Sequence, residues 1–322
     1  MSINIEKEYL MENFLVCLNA VLPIFFIMAL GYVARLTGVI RREDVPAMNR
    51  VAFKFFMPIM LFYDIYKSDL GTSVRPALIA FAVTGVLCAY GLSLLYVLLT
   101  QKKEDRKGVM IQGLYRSNYV IIGLPIAKAL APGMDIGSVA VLVAIIVPIF
   151  NVLAVITLEV FAGKKIKAGG IALDVAKNPL IIASVLGFIA MAAGLKLPAF
   201  ADSVLEQVGG ATSPLLLFLL GAFFQFKGMK KYLRELIEAC LGRLVVIPAI
   251  FLGAAALLGF RGVDFVALIG IFGSATAIAS FTMTQQMGGD AELAGDIVVL
   301  TSAGCSVTIF AWSLLFKTLG IF

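Results

Sequence analysis

The sequence contains no histidine, one tryptophan and four cysteines in 322 residues, and only 14% of it is charged. Without histidine there is no imidazole to ligate a metal or relay a proton near neutral pH. Cys17, Cys88, Cys240 and Cys305 stand alone in apolar stretches with no CxxC pair, so they read as small packing residues and not as a metal or redox centre. The stretch AGKKIKAGG lacks the spacing and the hydroxyl of a GxxxxGK[ST] phosphate loop, so nothing in the sequence supports direct ATP drive. No TVGYG-like run suggests a potassium filter. No catalytic centre and no cofactor is expected.

What is present in excess is apolar surface. Hydrophobic residues make up 61% of the chain and mean hydropathy is +1.01, against about 45–50% apolar and about 25% charged residues in soluble domains. That balance excludes soluble enzymes, nucleic-acid binders and disordered chains. A membrane-spanning helix needs about 20 apolar residues. Ten such spans are expected, over 13–36, 45–66, 75–99, 108–131, 136–161, 171–194, 203–225, 235–259, 263–287 and 293–319. These runs are too long and too uniformly apolar for alternating barrel strands. The fold class is therefore an all-α integral membrane protein. The first residues, MSINIEKEYLMEN, lack a basic signal-peptide start, so the first span is expected to be retained.

Basic residues orient the spans. Arg35, Arg41, Arg42 and Arg50 follow span 1, and Lys102, Lys103, Arg106 and Lys107 follow span 3. Lys164, Lys165, Lys167 and Lys177 follow span 5, and Lys227, Lys230, Lys231 and Arg234 follow span 7. The alternate loops are poor in bases. The positive-inside rule puts the rich loops in the cytoplasm and both termini outside the inner (cell) membrane. The loop after span 9 carries Asp290, Glu292 and Asp296 and no base; acids weigh little in orientation, so the assignment stands.

The chain also resembles itself. Pro23, Gly31, Gly38 and Pro58 recur as Pro179, Gly187, Gly194 and Pro214, each 156 positions on, and PIMLF around Pro58 matches PLLLF around Pro214. Two five-span units follow, 1–163 and 164–322. An odd number of crossings inserts the second unit upside down, a plan common among secondary transporters.

In such folds the ligand lies near the midplane, where matching helices are interrupted. Span 4 holds Arg116, Ser117 and Asn118, then Gly123-Leu124-Pro125; a proline there removes a helical hydrogen bond, and the polar cluster and the breaker together mark an unwound segment. Its counterpart in span 9, IFGSATAIASFTMTQQMGGD, is rich in small and hydroxyl residues: Gly273, Ser274, Thr276, Ser280, Thr282, Thr284, with Gln285 following. Two half-helix N-termini meeting there suit an anion. Arg116 lies roughly 13 Å into span 4 at 1.5 Å per residue, and either attracts a carboxylate or snorkels to phosphates. Asn118 would donate its amide to a carboxylate. Asp64 is the best intramembrane acid for a coupling proton or sodium, with Ser280 as a second candidate. Lys54 and Arg243 are expected to take structural or snorkelling roles, or else to pair with Asp64 or Glu159, and Met283 and Met287 are expected to pack.

RSNYVIIGLPI in span 4 resembles the SNxxxxGLP signature of the auxin efflux carrier family, which includes bacterial members and the plant PIN-type carriers. NRVAFKFFMPIMLF resembles the family's second helix, and FGSATA and QQMGGDAELAGDIVV its ninth and tenth. The resemblance implies ten helices in two inverted repeats, related to bile acid symporters and sodium/proton antiporters. Crossed broken helices 4 and 9 would belong to a core of helices 3–5 and 8–10, against a scaffold of 1, 2, 6 and 7. It also implies a small organic anion as substrate, such as malonate or an auxin-like acid, and a homodimer in lipid. The family's asparagine falls on Asn118 and its crossover proline on Pro125; Ala275 stands where relatives often have proline. Two other readings remain open: a sodium-coupled symporter, with Thr276, Ser280 and Gln285 as oxygen ligands, and a channel or membrane sensor without transport.

Overall fold

The structure, a computed structural model, describes residues 2–68, 75–130, 137–161, 168–226 and 228–322. The basic residues Lys164, Lys165, Lys167 and Lys227 lie outside the described residues. Among those described there is no strand; helices account for nearly everything. They are α1 (Ser2–Leu36), α2 (Val45–Val51), α3 (Met57–Tyr66), α4 (Pro76–Thr100), α5 (Glu104–Tyr115), α6 (Leu124–Leu130), α7 (Gly137–Phe161) and α8 (Ala168–Lys177). The second half continues with α9 (Pro179–Ala192), α10 (Ala199–Phe223), α11 (Leu233–Leu241), α12 (Ile247–Leu257), α13 (Gly262–Gly273), α14 (Ala279–Met287) and α15 (Ala291–Thr318).

Among the described residues, six continuous helical runs are long and apolar enough to cross a membrane: Arg42–Tyr66, Pro76–Thr100, Val141–Phe161, Ala199–Phe223, Met229–Leu257 and Ala291–Thr318. Their outer faces carry large apolar side chains such as Leu99, Phe200 and Leu257, the last 90% exposed. Lipid solvates such a surface; water would not. Two runs contain a single π-helical turn, Ala52–Phe56 between α2 and α3 and Gly242–Val246 between α11 and α12. Each precedes a proline, Pro58 and Pro248. A proline removes one donor from the ladder, and a wider turn absorbs the mismatch without breaking the helix.

Small residues let backbones approach where helices pack. A Cβ on Gly31 of α1 would lie 1.9 Å from the Phe218 carbonyl oxygen of α10, and one on Gly221 of α10 1.9 Å from the Met28 oxygen of α1. A Cβ on Gly187 of α9 would lie 3.0 Å from the Phe62 oxygen of α3. In lipid, where apolar surface gives no drive to associate, this close contact is what holds helices together. Gly38 and Gly194 end α1 and α9 with φ of 77° and 58°. That left-handed conformation costs an L side chain energy and glycine almost none, so each helix stops there.

The expected span 6 divides. Asn178 separates α8 from α9, its side chain accepting from Leu180 N at 3.0 Å, with Pro179 in the first position of α9. Asparagine as N-cap followed by proline is a helix start, and it leaves α9 only 14 residues long. Spans 4 and 9 are interrupted too. The span 4 interruption lies at 116–118, the polar part of the expected segment, and does not extend to Gly123–Pro125. Pro125 sits instead in α6, and the π-helical turn Tyr119–Gly123 before it takes up the missing donor.

Candidate anion site at two interrupted helices

The chain leaves α5 after Tyr115 and runs extended through Arg116, Ser117 and Asn118. It leaves α13 after Gly273 and runs through 274–278 before α14 begins. These two stretches satisfy each other. Ser117 and Thr276 form an antiparallel bridge; Asn118 N donates to the Ala275 oxygen at 2.8 Å, and Ala277 N to the Arg116 oxygen at 3.2 Å. The Ser117 and Ser274 hydroxyls lie 2.8 Å apart. Unwound backbone in a membrane core needs such partners, since lipid offers none. The crossing is tight: a Cβ on Gly123 would lie 2.8 Å from the Gly270 oxygen.

The helix ends at the crossing leave carbonyls without helical partners. Arg243, fully buried, meets them. Its Nε donates to the Ser274 oxygen at 2.8 Å, one terminal nitrogen to the Ile271 oxygen at 2.8 Å, and the other to the Tyr115 oxygen at 3.2 Å. One guanidinium thus ties the C-terminal ends of α5 and α13 together, where the helix dipoles favour a cation. Of the roles expected for Arg243 this is the structural one; it neither snorkels nor forms an ion pair with Asp64 or Glu159. Lys54 is exposed on its π-helical turn, as a snorkelling side chain would be.

Beside the crossing is a cavity with about 70 Å³ of free space. A single water needs roughly 10–15 Å³ of such space, so it has room for several waters or a small carboxylate. Arg116, Ser117, Asn118, Asn151, Ser213 and Asp64 supply its polar wall. Met57, Leu61, Val147, Phe150, Leu216 and Ile278 supply much of the rest. Arg116 is 3% exposed. It donates to Gln112 Oε1 at 2.9 Å, to Met283 Sδ at 2.9 Å and to Asn151 Oδ1 at 2.5 Å. It forms no ion pair among the described residues. Met283, expected to pack only, is therefore a ligand of the guanidinium. Asn118 is 5% exposed, and its Nδ2 has no hydrogen-bond partner.

Three sequence-selected residues of span 4, Arg116, Ser117 and Asn118, thus line one cavity together with Asp64. The others lie elsewhere. Ser274 and Thr276 are consumed by the crossing, Thr276 Oγ1 donating to the Gly113 oxygen at 2.8 Å and its N–H to Thr301 Oγ1 at 3.2 Å. Gly273 and Gly123 are buried packing positions, Pro125 is exposed, and Gln285 accepts from Asn49 Nδ2 at 2.7 Å. Ser280 is buried, its hydroxyl without a partner and away from the cavity wall. Sequence reasoning missed Asn151 and Gln112, which aim Arg116. A lone amide in the apolar run of α7, three residues after Pro148, was the available signal for Asn151.

The family model described as membrane transport protein matches residues 16–170 and 170–313, nearly the whole chain. The chain belongs to that family, the auxin efflux carriers. Two archaeal members are similar over their full length. An uncharacterized transporter of Methanocaldococcus jannaschii is 23% identical over 304 residues, 92% of this chain and 97% of the relative. An uncharacterized transporter of Methanothermobacter thermautotrophicus is 22% identical over 303 residues, again 92% and 97%. Membership of this auxin efflux carrier family makes the chain a membrane transport protein with several helices in the bilayer.

Proposed function

We propose that this auxin efflux carrier family member is a secondary or facilitative carrier of small organic anions, a mono- or dicarboxylate, with the cavity beside the crossing as its site. The carrying observation is the Asn118 amide. Among the described residues it is a buried donor with no partner, on the same wall as a guanidinium that forms no ion pair. Each is costly alone: an unmet buried donor by about 1–3 kcal/mol, and an unpaired buried charge by several. A carboxylate offsets both at once, while the apolar wall accepts the body of the molecule.

The site fits an arrangement of ten spans in two inverted five-span units, 1–163 and 164–322, with access alternating around a fixed midplane site. Several contacts support it. Gly31 packs on Phe218 and Gly187 on Phe62, and these pairs exchange under the 156-residue shift. Thr212 Oγ1 donates to the oxygen of Phe56, its own counterpart under that shift, at 3.2 Å. Helices α5 and α13 are both 12 residues long and start 158 apart, which pairs Asn118 with Thr276. Under this reading the basic loops are cytoplasmic and both termini lie outside the cell membrane.

A cation-coupled symporter is the second reading, favoured by Asp64 on the same cavity wall. A thermal-shift screen of carboxylates, with and without sodium and across pH, finds the ligand. Counterflow of the labelled hit in proteoliposomes then tests the site. Asn118→Ala is expected to lower flux at least about tenfold, as loss of a bond to a charged group implies, with unchanged elution in detergent. Wild-type flux from that variant removes this site. Absence of saturable counterflow in the parent protein supports a channel or sensor instead.

A further inference from the structure

Away from the cavity, two sets of helices meet through polar contacts that the anion site does not use. One set contains α1, α2, α3, α9 and α10; the other contains α4, α5 and α11 to α15. Asn49 Nδ2 donates to Gln285 Oε1, and Gln286 Nε2 donates to the Pro46 oxygen at 3.2 Å. Arg42, between α1 and α2, donates to Glu292 Oε1 of α15 at 2.7 Å. Its guanidinium also lies 4.5 Å from the Phe223 ring centre of α10. Lys67–Asp202 stays within the first set, and Arg75–Asp264 and Arg106–Glu235 stay within the second. Arg42–Glu292 bridges the two.

Arg42 has a second acid within reach along α15. Asp296 lies one helical turn beyond Glu292 on the same face. It is 4% exposed, and its Oδ2 has no hydrogen-bond partner among the described residues. The Nε of Arg42 is also buried and without a partner. Both residues line one small recess with Glu292 and Phe223. An unfilled guanidinium donor and an unfilled carboxylate oxygen therefore face the same space. Glu292 keeps a cation if Arg42 leaves it, because Lys231 Nζ lies at 3.8 Å. Asp290 is already engaged by the Tyr232 hydroxyl and by Arg106, so it does not compete.

We propose that Arg42 is a two-position latch between the helix sets, paired with Glu292 in the state seen here and with Asp296 after the sets slide by one turn. A turn of α-helix is about 5.4 Å, a step that packed elements take between discrete arrangements. The latch rests on the alternating-access reading above.

The test uses the full chain with Cys17, Cys88, Cys240 and Cys305 replaced by serine and a Ser213→Cys reporter on the cavity wall. Labelling by a membrane-impermeant maleimide is read in sealed vesicles without substrate. Glu292→Gln is expected to change labelling about threefold in one direction and Asp296→Asn about threefold in the other, as a modest ion pair allows. Asp296→Glu is expected to behave as the parent. In an Arg42→Gln background neither acid substitution is expected to change labelling further. Shifts of the same sign, no shift, or shifts that persist without Arg42 overturn the latch. Should Asp296→Asn fail to insert, Glu292→Gln with and without Arg42→Gln still decides the matter. Absent carboxylate flux in the parent protein defeats the carrier reading, whereas opposite labelling shifts stand without any substrate.

Discussion

The two interrupted helices look alike in backbone and differ in chemistry. The 116–118 stretch turns a guanidinium and a free amide to the cavity. The 274–278 stretch turns only Ala277 and Ile278 to it; its hydroxyls and its Ser274 carbonyl are bound within the crossing. One break offers polar groups to a guest, and the other frames and braces it. Repeated architecture thus does not require repeated chemistry, and hydroxyl content alone does not mark a binding surface. A hydroxyl is free for a ligand only when the local backbone has not already claimed it.

That contrast can be broken from the bracing side first. Arg243→Gln is expected to be the most damaging change, because it strands carbonyls at both breaks. The expected loss is on the order of 4 kcal/mol, read as a collapse of the monodisperse fraction or of Tm in detergent. Arg243→Lys is expected to rescue little, since an ammonium cannot span three carbonyls as a planar fork does. Gly123→Ala comes next. Its Cβ would meet the Gly270 backbone and the Tyr119 ring, the latter at 2.5 Å, so the crossing must spread, at about 1–3 kcal/mol by the usual cost of overpacking. A Tm unchanged within a degree would show that the crossing is looser than described.

The recognising side is expected to respond differently. Asn151→Leu removes an acceptor that aims Arg116. It should raise the apparent KM for the carboxylate several-fold and leave elution in detergent unchanged, about 1 kcal/mol by the strength of one hydrogen bond. Equal loss of KM and maximal rate would instead give Asn151 a role in the carrier's movement. Thr276→Val is the mildest change. It removes one hydroxyl contact to Gly113 and should cost about 1 kcal/mol of stability, with counterflow near that of the parent. A selective loss of flux with full stability would place the second break in the site after all.

Much of this was legible from sequence because bilayers impose simple rules on composition. Apolar run length located most membrane helices, and Arg116-Ser117-Asn118 stood out as polar residues where lipid forbids them. The sequence extends the span 4 break from the polar cluster to Pro125 because a proline reads as a breaker, while the structure confines the break to 116–118 and lets a π-helical turn absorb Pro125. Asn178-Pro179 is a legible helix start that the long apolar run around it concealed. For Arg243 the sequence supports a structural role but not the groups it holds. Its partners are carbonyls 28 to 128 residues away in sequence, and no local pattern records a backbone acceptor that distant.

The antiparallel bridge between Ser117 and Thr276, fastened by a guanidinium from a third helix, has a mechanical consequence. The two gaps in the helices are stitched into a single joint, so neither has its own hinge. Displacing one carries the other with it, and whatever rests against them travels as cargo on a common block.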